Sequence, residues 1–117
     1  MIGSANGARI GITGLGANAP DRVFTNKDLE QFVDTTDDWI VERTGIRERR
    51  FASKEQALTD IAEPAVIAAL ADAGVDAASI DLIVVATVTP DMMFPTTSAL
   101  LADSLGMPDA AAYDLLA

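Results

Sequence analysis

One continuous apolar run constrains the fold of this chain more than any other feature. The run is DLIVVATV, residues 81–88, and most of its members are β-branched. It has no polar alternation, which is typical of a parallel strand covered on both faces. Two further strands are predicted, one from AAAYDLL at 110–116 and one from the alternating ARIGITGLG, over residues 8–15.

Two short helices are predicted between the 8–15 strand and the 81–88 strand. In TNKDLEQFV, Thr25 can cap a helix to about Val33, with Asp28 at the third position of a capping box. In TTDDWIVERTG, Thr36 is the cap and Gly45 supplies a left-handed stop. The alternating IRERRF that follows predicts a short strand.

Two more helices flank the 81–88 strand. LTDIAEPAVIAALADAG ends at Gly74 and is apolar on every side over 65–71, so we expect it to be buried inside a large protein or against a partner. TTSALLADSLG begins after Thr96 or Thr97 and stops at Gly106. Strand, helices, strand, helix, strand is the order of an α/β fold with a parallel or mixed sheet.

Composition excludes several classes of function. The 117 residues include no cysteine and no histidine, so a thiolate nucleophile is excluded and we expect no metal site. The net charge of −10 argues against nucleic acid and membrane surfaces as partners. No apolar run spans a bilayer and the N-terminus does not read as a signal peptide, so a cytoplasmic protein is expected. The glycines at 11, 14 and 16 do not match GxGxxG; we interpret them as close packing and a turn.

The stretch DDWIVERTGIRERR combines the single tryptophan with a local excess of arginine. Trp39 and Arg43 are four residues apart, so they share one helix face. An indole plane suits a nucleobase and a guanidinium suits phosphate. From the residues alone the alternatives stay open: Trp39 as a cover over the core, and the arginines as a solvated segment paired with Glu42 and Glu48. The basic residues concerned are Arg43, Arg47, Arg49 and Arg50.

Three runs together resemble β-ketoacyl-acyl carrier protein synthase III, a thiolase-fold condensing enzyme. They are TNKDLEQFVDTTDDWIVERTGIRERR, IDLIVVATVTPDMMFPTTSALLADSLG and AAYDLLA. The resemblance implies that residues 1–117 are the N-terminal segment of the first thiolase-like half of a layered αβαβα sandwich. It also implies an acyltransferase of fatty acid synthesis, which condenses an acyl-coenzyme A, acetyl-coenzyme A above all, with malonyl-acyl carrier protein. No permanently bound cofactor is implied.

The resemblance assigns roles to four residues. Trp39 stacks on the adenine of coenzyme A, Thr35 lines the adenine site and Arg43 meets the phosphates. Phe94, in the loop TPDMMFP, crosses a homodimer interface and shapes the partner's acyl pocket. The family's cysteine follows the aspartate that matches Asp114 by about five residues, and its histidine and asparagine come later, so no catalytic residue is assigned here.

The last predicted strand ends where an α/β enzyme places its chemistry, which leads us to expect a fragment, or one piece of a split chain with a complementary fragment as partner. Two alternatives stay open. One is another thiolase-fold condensing enzyme, of secondary metabolism or of long-chain head-to-head condensation. The other is a non-catalytic scaffold of thiolase-like fold that binds coenzyme A.

Overall fold

The computed structural model describes residues 10–116, which form four strands and four α-helices. A short 3₁₀ turn, Ala77–Ser79, precedes the third strand. In chain order the elements are β1 (Arg22–Thr25), α1 (Asn26–Leu29), α2 (Asp37–Thr44), β2 (Glu48–Phe51), α3 (Leu58–Ala73), β3 (Leu82–Ala86), α4 (Thr97–Ser104) and β4 (Ala111–Leu115).

The first four elements form what we call the N-terminal unit, residues 22–51. β1 pairs with β2 in an antiparallel register that sets Arg22 opposite Phe51. Phe24 packs between two other rings, with centroids 4.9 Å from Phe51 and 6.1 Å from Phe32. α1 contacts both β1 and α2, so the small sheet and the helix pair are one assembly.

The remaining elements form the C-terminal unit, residues 58–115. β3 and β4 are parallel, with Leu82 opposite Ala111, and α4 packs on both strands and on α3. The buried apolar side chains of this unit are Leu101, Ala102 and Met107. One antiparallel and one parallel pair make a mixed α/β structure, as the sequence predicts.

The predicted helix starts and glycine stops are confirmed, but α1 ends at Leu29 and not at about Val33. Thr25 and Thr36 cap α1 and α2, and Thr96, rather than Thr97, caps α4. Gly45 and Gly74 take the left-handed conformation that ends α2 and α3, with φ of 70° and 64°. Such a conformation strains any residue with a Cβ, which is why glycine occupies both positions.

The predicted strand over residues 8–15 is wrong in its described part, because residues 10–15 form no strand. The segment lies against α3 instead, where the backbone N–H of Leu15 donates to Asp72 Oδ2 at 3.0 Å. A Cβ on Gly14 would lie 2.5 Å from the carbonyl oxygen of Ala69, so only glycine permits this approach. The interpretation of the glycines as close packing is confirmed for Gly14 and Gly16 but not for Gly11, where a Cβ would meet nothing within 4 Å. Ala8 and Arg9 lie outside the described residues.

The expected burial of β3 and α3 is not found in the described chain. Leu82 and Val84 on β3 are about half exposed, and α3 has no buried residue. The reason is geometric: α4 covers only one set of alternate strand residues, and the elements described here offer nothing for the other set. Both elements therefore keep apolar faces turned to solvent.

Candidate functional site

α2 carries the two residues that the sequence singles out, and both of its ends are fixed. The Thr36 hydroxyl accepts the backbone N–H of Trp39 at 3.2 Å, and Glu30 Oε1 accepts that of Asp37 at 2.7 Å. Asp37 and Asp38 lie in the first turn and Arg43 in the last, which suits the helix dipole. The sequence thus forms a short, well-capped helix that presents Trp39 and Arg43 on one side.

Trp39 and Arg43 are in direct contact. The guanidinium carbon of Arg43 lies 4.4 Å from the centroid of the indole ring, a cation–π arrangement. Trp39 is nonetheless 51% exposed, so about half of the side chain is open to solvent beside the groove. Within residues 10–116, Arg43 makes no hydrogen bond or ion pair with a protein group, which leaves its N–H donors available to an anion.

An open groove lies beside the indole. Its volume is about 480 Å³, within the range of small-molecule sites. Thr35 shares this groove with Trp39, and its hydroxyl oxygen is buried without a hydrogen-bond partner in the described structure. An unpaired buried hydroxyl is costly, so a ligand that reached this oxygen would gain from pairing with it. The lining residues are Leu29, Val33, Asp34, Thr35, Thr36, Trp39 and Ile40.

Two of the other three arginines of the basic stretch bond to protein groups. Arg49 donates to Asn26 Oδ1 at 2.8 Å, and Arg50 lies 3.7 Å from Glu48 and donates to the carbonyl of Asp21. Arg47 is exposed. The interpretation as a paired surface group is confirmed for Arg50 with Glu48, whereas Arg49 is partly buried and bonds the buried Asn26. Arg43 alone of these residues stacks on the indole.

Phe94 lies elsewhere and is not among the residues that line the groove. It is 87% exposed, and its neighbour Met93 is almost as open. The loop is anchored at its base by Asp91, which accepts the backbone N–H groups of Leu58 and Thr59 at the start of α3. Phe94 is therefore not packed on the core of the described chain.

Asp114, matched by the resemblance to a marker of the catalytic strand, has a structural task that sequence reasoning missed. Its carboxylate accepts the backbone N–H groups of Thr97 at 2.9 Å and Ser98 at 2.8 Å, so it joins β4 to the start of α4. Burial raises the pKa of Asp114, but the hydrogen bonds from Ser98 and Thr97 lower it by more, so the pKa lies below its ordinary value. Asp91 behaves in the same way: burial raises its pKa, but the hydrogen bonds from Thr59 and Leu58 lower it by more, so the pKa lies below its ordinary value.

The described residues contain neither a metal-binding cluster nor a helix suited to cross a membrane. No cluster of carboxylates within 10–116 is arranged to hold a metal ion. In the same part of the chain no helix has both the length and the apolar character needed to cross a membrane.

Comparison with known proteins shows that this α/β segment has the thiolase fold and is similar to part of the condensing enzymes that share it. The chain is 56% identical over 108 residues to β-ketoacyl-[acyl-carrier-protein] synthase III of Symbiobacterium thermophilum, covering 92% of this chain and 33% of that protein. No family model matches the chain.

Two solved structures show the same fold. The crystal structure of 3-oxoacyl-[acyl-carrier-protein] synthase III from Aquifex aeolicus VF5 matches with a TM-score of 0.81 at 43% identity, over 89% of this chain and 33% of that one. The priming β-ketosynthase of the R1128 polyketide biosynthetic pathway matches with a TM-score of 0.82 at 37% identity, over 93% and 34%. The resemblance to an N-terminal segment of β-ketoacyl-acyl carrier protein synthase III is confirmed, and the chain spans about a third of the length of the relatives it matches.

Proposed function

We propose that residues 1–117 serve as the coenzyme A entrance of a condensing enzyme that joins an acyl-coenzyme A to malonyl-acyl carrier protein with loss of carbon dioxide. Acetyl-coenzyme A is the acyl donor we expect, in the cytoplasm, as the first condensation of fatty acid synthesis. In this proposal the chain is the N-terminal part of the first thiolase-like half. The observation that carries it is the contact between Trp39 and Arg43 at the edge of the Thr35 groove.

The geometry supports a separate binding role for each of three side chains along one nucleotide. The exposed indole of Trp39 offers a flat surface for adenine, a contact worth about 1–3 kcal/mol. The guanidinium of Arg43, held over the indole, keeps free N–H donors for a phosphate oxygen. The hydroxyl of Thr35 supplies a hydrogen bond at the floor of the groove. Each group binds and orients the substrate, and none of them breaks a bond.

The bond-breaking groups belong to a different part of the complete enzyme, because these 117 residues contain neither cysteine nor histidine. We propose that the family's cysteine accepts the acyl group and that Phe94, exposed on its loop, completes the acyl pocket of a partner subunit in a homodimer. A complementary chain that carries the missing residues is the other arrangement consistent with this proposal.

Isothermal titration of the chain with coenzyme A tests the binding step. We expect Trp39→Ala and Arg43→Ala each to weaken binding, Trp39→Ala by about 1–3 kcal/mol because a stacked base is lost. Matched controls are Phe32→Ala, an exposed aromatic outside the groove, and Arg47→Ala, an exposed arginine of the same stretch. Equal affinities in all five proteins would contradict the proposal.

A chimera tests the reaction itself. This chain, joined to the remaining two-thirds of a relative, should form a ketoacyl product from acetyl-coenzyme A and malonyl-acyl carrier protein. A chimera that folds and binds coenzyme A but condenses nothing would favour the scaffold that only binds coenzyme A.

A second candidate is the priming of a secondary-metabolite chain, favoured by the similarity to a polyketide priming ketosynthase. The two candidates share the coenzyme A entrance and differ in the acyl acceptor. Competition between acceptor carrier proteins in the chimera assay separates them: a preference for a polyketide carrier protein would select the second.

A further inference from the structure

A single buried asparagine joins all the parts of the N-terminal unit that surround α2. Asn26 is the first residue of α1 and only 1% exposed, which is rare for an asparagine. Its amide nitrogen donates to Asp37 Oδ1 at 2.7 Å and to the carbonyl oxygen of Ile46 at 2.9 Å. Its amide oxygen accepts from Arg49 Nη1 at 2.8 Å.

The partners fix which way this amide points. A backbone carbonyl such as that of Ile46 only accepts a hydrogen bond, and a guanidinium only donates one. The nitrogen must therefore face Ile46 and the oxygen must face Arg49. Both donors and one acceptor of the side chain are used, so the buried amide carries no unpaired N–H.

These bonds hold α2 at both ends. Asp37 is the first residue of the helix, and Ile46 follows the glycine that ends it. The helix has eight residues, about 12 Å at 1.5 Å per residue, and Asn26 reaches both of its ends. Trp39 and Arg43 lie between the two anchored points, so the bonds of Asn26 act on the helix segment that carries them.

We propose that Asn26 is a positioning residue: by bonding Asp37 and the Ile46 carbonyl it sets the orientation of α2, and hence of the Trp39–Arg43 pair. The proposal rests on the proposed function only for the ligand that the pair receives; the orientation itself is a property of the free chain. Asn26 does not touch the groove, so its effect on binding passes through α2.

The near-ultraviolet circular dichroism of the free chain gives a direct measurement. Trp39 is the only tryptophan and belongs to the N-terminal unit, while Tyr113 is the only tyrosine and belongs to the C-terminal unit. An indole band requires a fixed ring environment, so the two bands report the two units separately. A merely structural weakening of the N-terminal unit would reduce the helical signal together with the indole band, whereas a reoriented α2 keeps its helical signal.

Two variant pairs make the test specific. Asn26→Asp removes both donors and sets a carboxylate against Asp37, and we expect the indole band to be lost while the tyrosine band remains. In Asn26→Asp/Asp37→Asn the donor to position 26 moves to the helix, and we expect the indole band to return in part, because the bond to the Ile46 carbonyl stays lost. Asp37→Ala should reduce the band in part, whereas Asp38→Ala, which also removes one acid from the first turn but is exposed, should leave it unchanged.

The outcomes are distinct. An unchanged indole band in Asn26→Asp, no return in the double variant, or equal bands in Asp37→Ala and Asp38→Ala would overturn the proposal. If Asn26→Asp unfolds the whole chain, the Asp37→Ala and Asp38→Ala pair decides by itself. Since the band is read without ligand, a chain with the expected bands that binds no coenzyme A would overturn the proposed function and leave the role of Asn26 standing.

Discussion

The two units of this chain are stabilised by different means. In the N-terminal unit the buried amide of Asn26, the Thr36 cap and the Gly45 stop fix α2. The groove beside α2 is open to solvent. In the C-terminal unit small and apolar side chains of α4 pack on a parallel strand pair, and a strand face and α3 stay uncovered. The difference indicates that hydrogen bonds fix the N-terminal unit, while the C-terminal unit depends on apolar packing that covers only part of its surface within the described residues.

The largest expected effect is on the core of the C-terminal unit. Leu101→Ala removes a side chain that is 1% exposed, and we expect a loss of about 2–5 kcal/mol of unfolding free energy from the cavity left behind. Urea unfolding followed by Tyr113 should shift by more than that followed by Trp39. Met93→Ala, on the exposed loop, is the control. Coincident shifts of both probes would show that the two units unfold as one.

How far the sequence predicts such a core can be judged from α4 and α3. The caps, stops and parallel strands were predictable because they depend on neighbouring residues, as at Thr36, Gly45 and the 81–88 run. The uncovered face of β3 was not predictable. An apolar run shows that a strand is suited to cover on both faces, but not which element provides that cover. For the same reason the 8–15 strand was predicted from its alternation, although its glycines bring residues 14–16 onto α3.

The candidate site divides in the same way. Trp39 and Arg43 were predictable as a pair because a separation of four places them on one helix face. Asn26 was not, since its partners lie 11, 20 and 23 residues away and leave no local pattern. Asp91 was missed likewise: α3 starts after Ala57, which has no side chain to cap it, and the acceptor comes from 32 or 33 residues further along.

A smaller effect is expected where the N-terminal segment crosses α3. Gly14→Ala places a methyl group 2.5 Å from the Ala69 carbonyl oxygen, and we expect it to destabilise that crossing by about 1–3 kcal/mol. Gly11→Ala is the matched control, because a Cβ there meets nothing within 4 Å. Hydrogen exchange at Leu15, whose N–H bonds Asp72, would report the loss. Equal exchange in both variants would mean that the segment is not docked on α3.

Next in size is the carboxylate that joins β4 to α4. Because the pKa of Asp114 is lowered in the folded chain, its contribution is present above the pKa of the unfolded chain and is lost as the pH falls through the lower folded value. We expect Asp114→Asn to cost on the order of 1 kcal/mol or more at neutral pH, since one charged hydrogen bond at the helix start becomes neutral and the second N–H loses its acceptor. Asp109→Asn, exposed on the turn before β4, is the charge-matched control.

The pH dependence sharpens this prediction. As the pH falls through the lowered pKa of Asp114 the carboxyl group is protonated, so Asp114→Asn and the unsubstituted chain should converge in stability as acid is added. Urea midpoints recorded with the Tyr113 probe at several pH values give the comparison. A constant difference between the two proteins from neutral to acid pH would show that the charge of Asp114 is not what α4 depends on.

The smallest effect on stability is expected at Phe94. The same substitution tests whether this exposed side chain takes part in an interface. Phe94 is 87% exposed, so Phe94→Ala should change the unfolding free energy of the chain by less than about 0.5 kcal/mol. If the loop crosses a dimer interface as proposed, the same substitution should weaken self-association of the chimera, because large apolar side chains contribute most where they become buried. Analytical ultracentrifugation measures this, with Phe32→Ala, an exposed phenylalanine of the N-terminal unit, as the control. A dimer that Phe94→Ala leaves as tight as before would remove the loop from the interface and leave its exposure without a function in assembly.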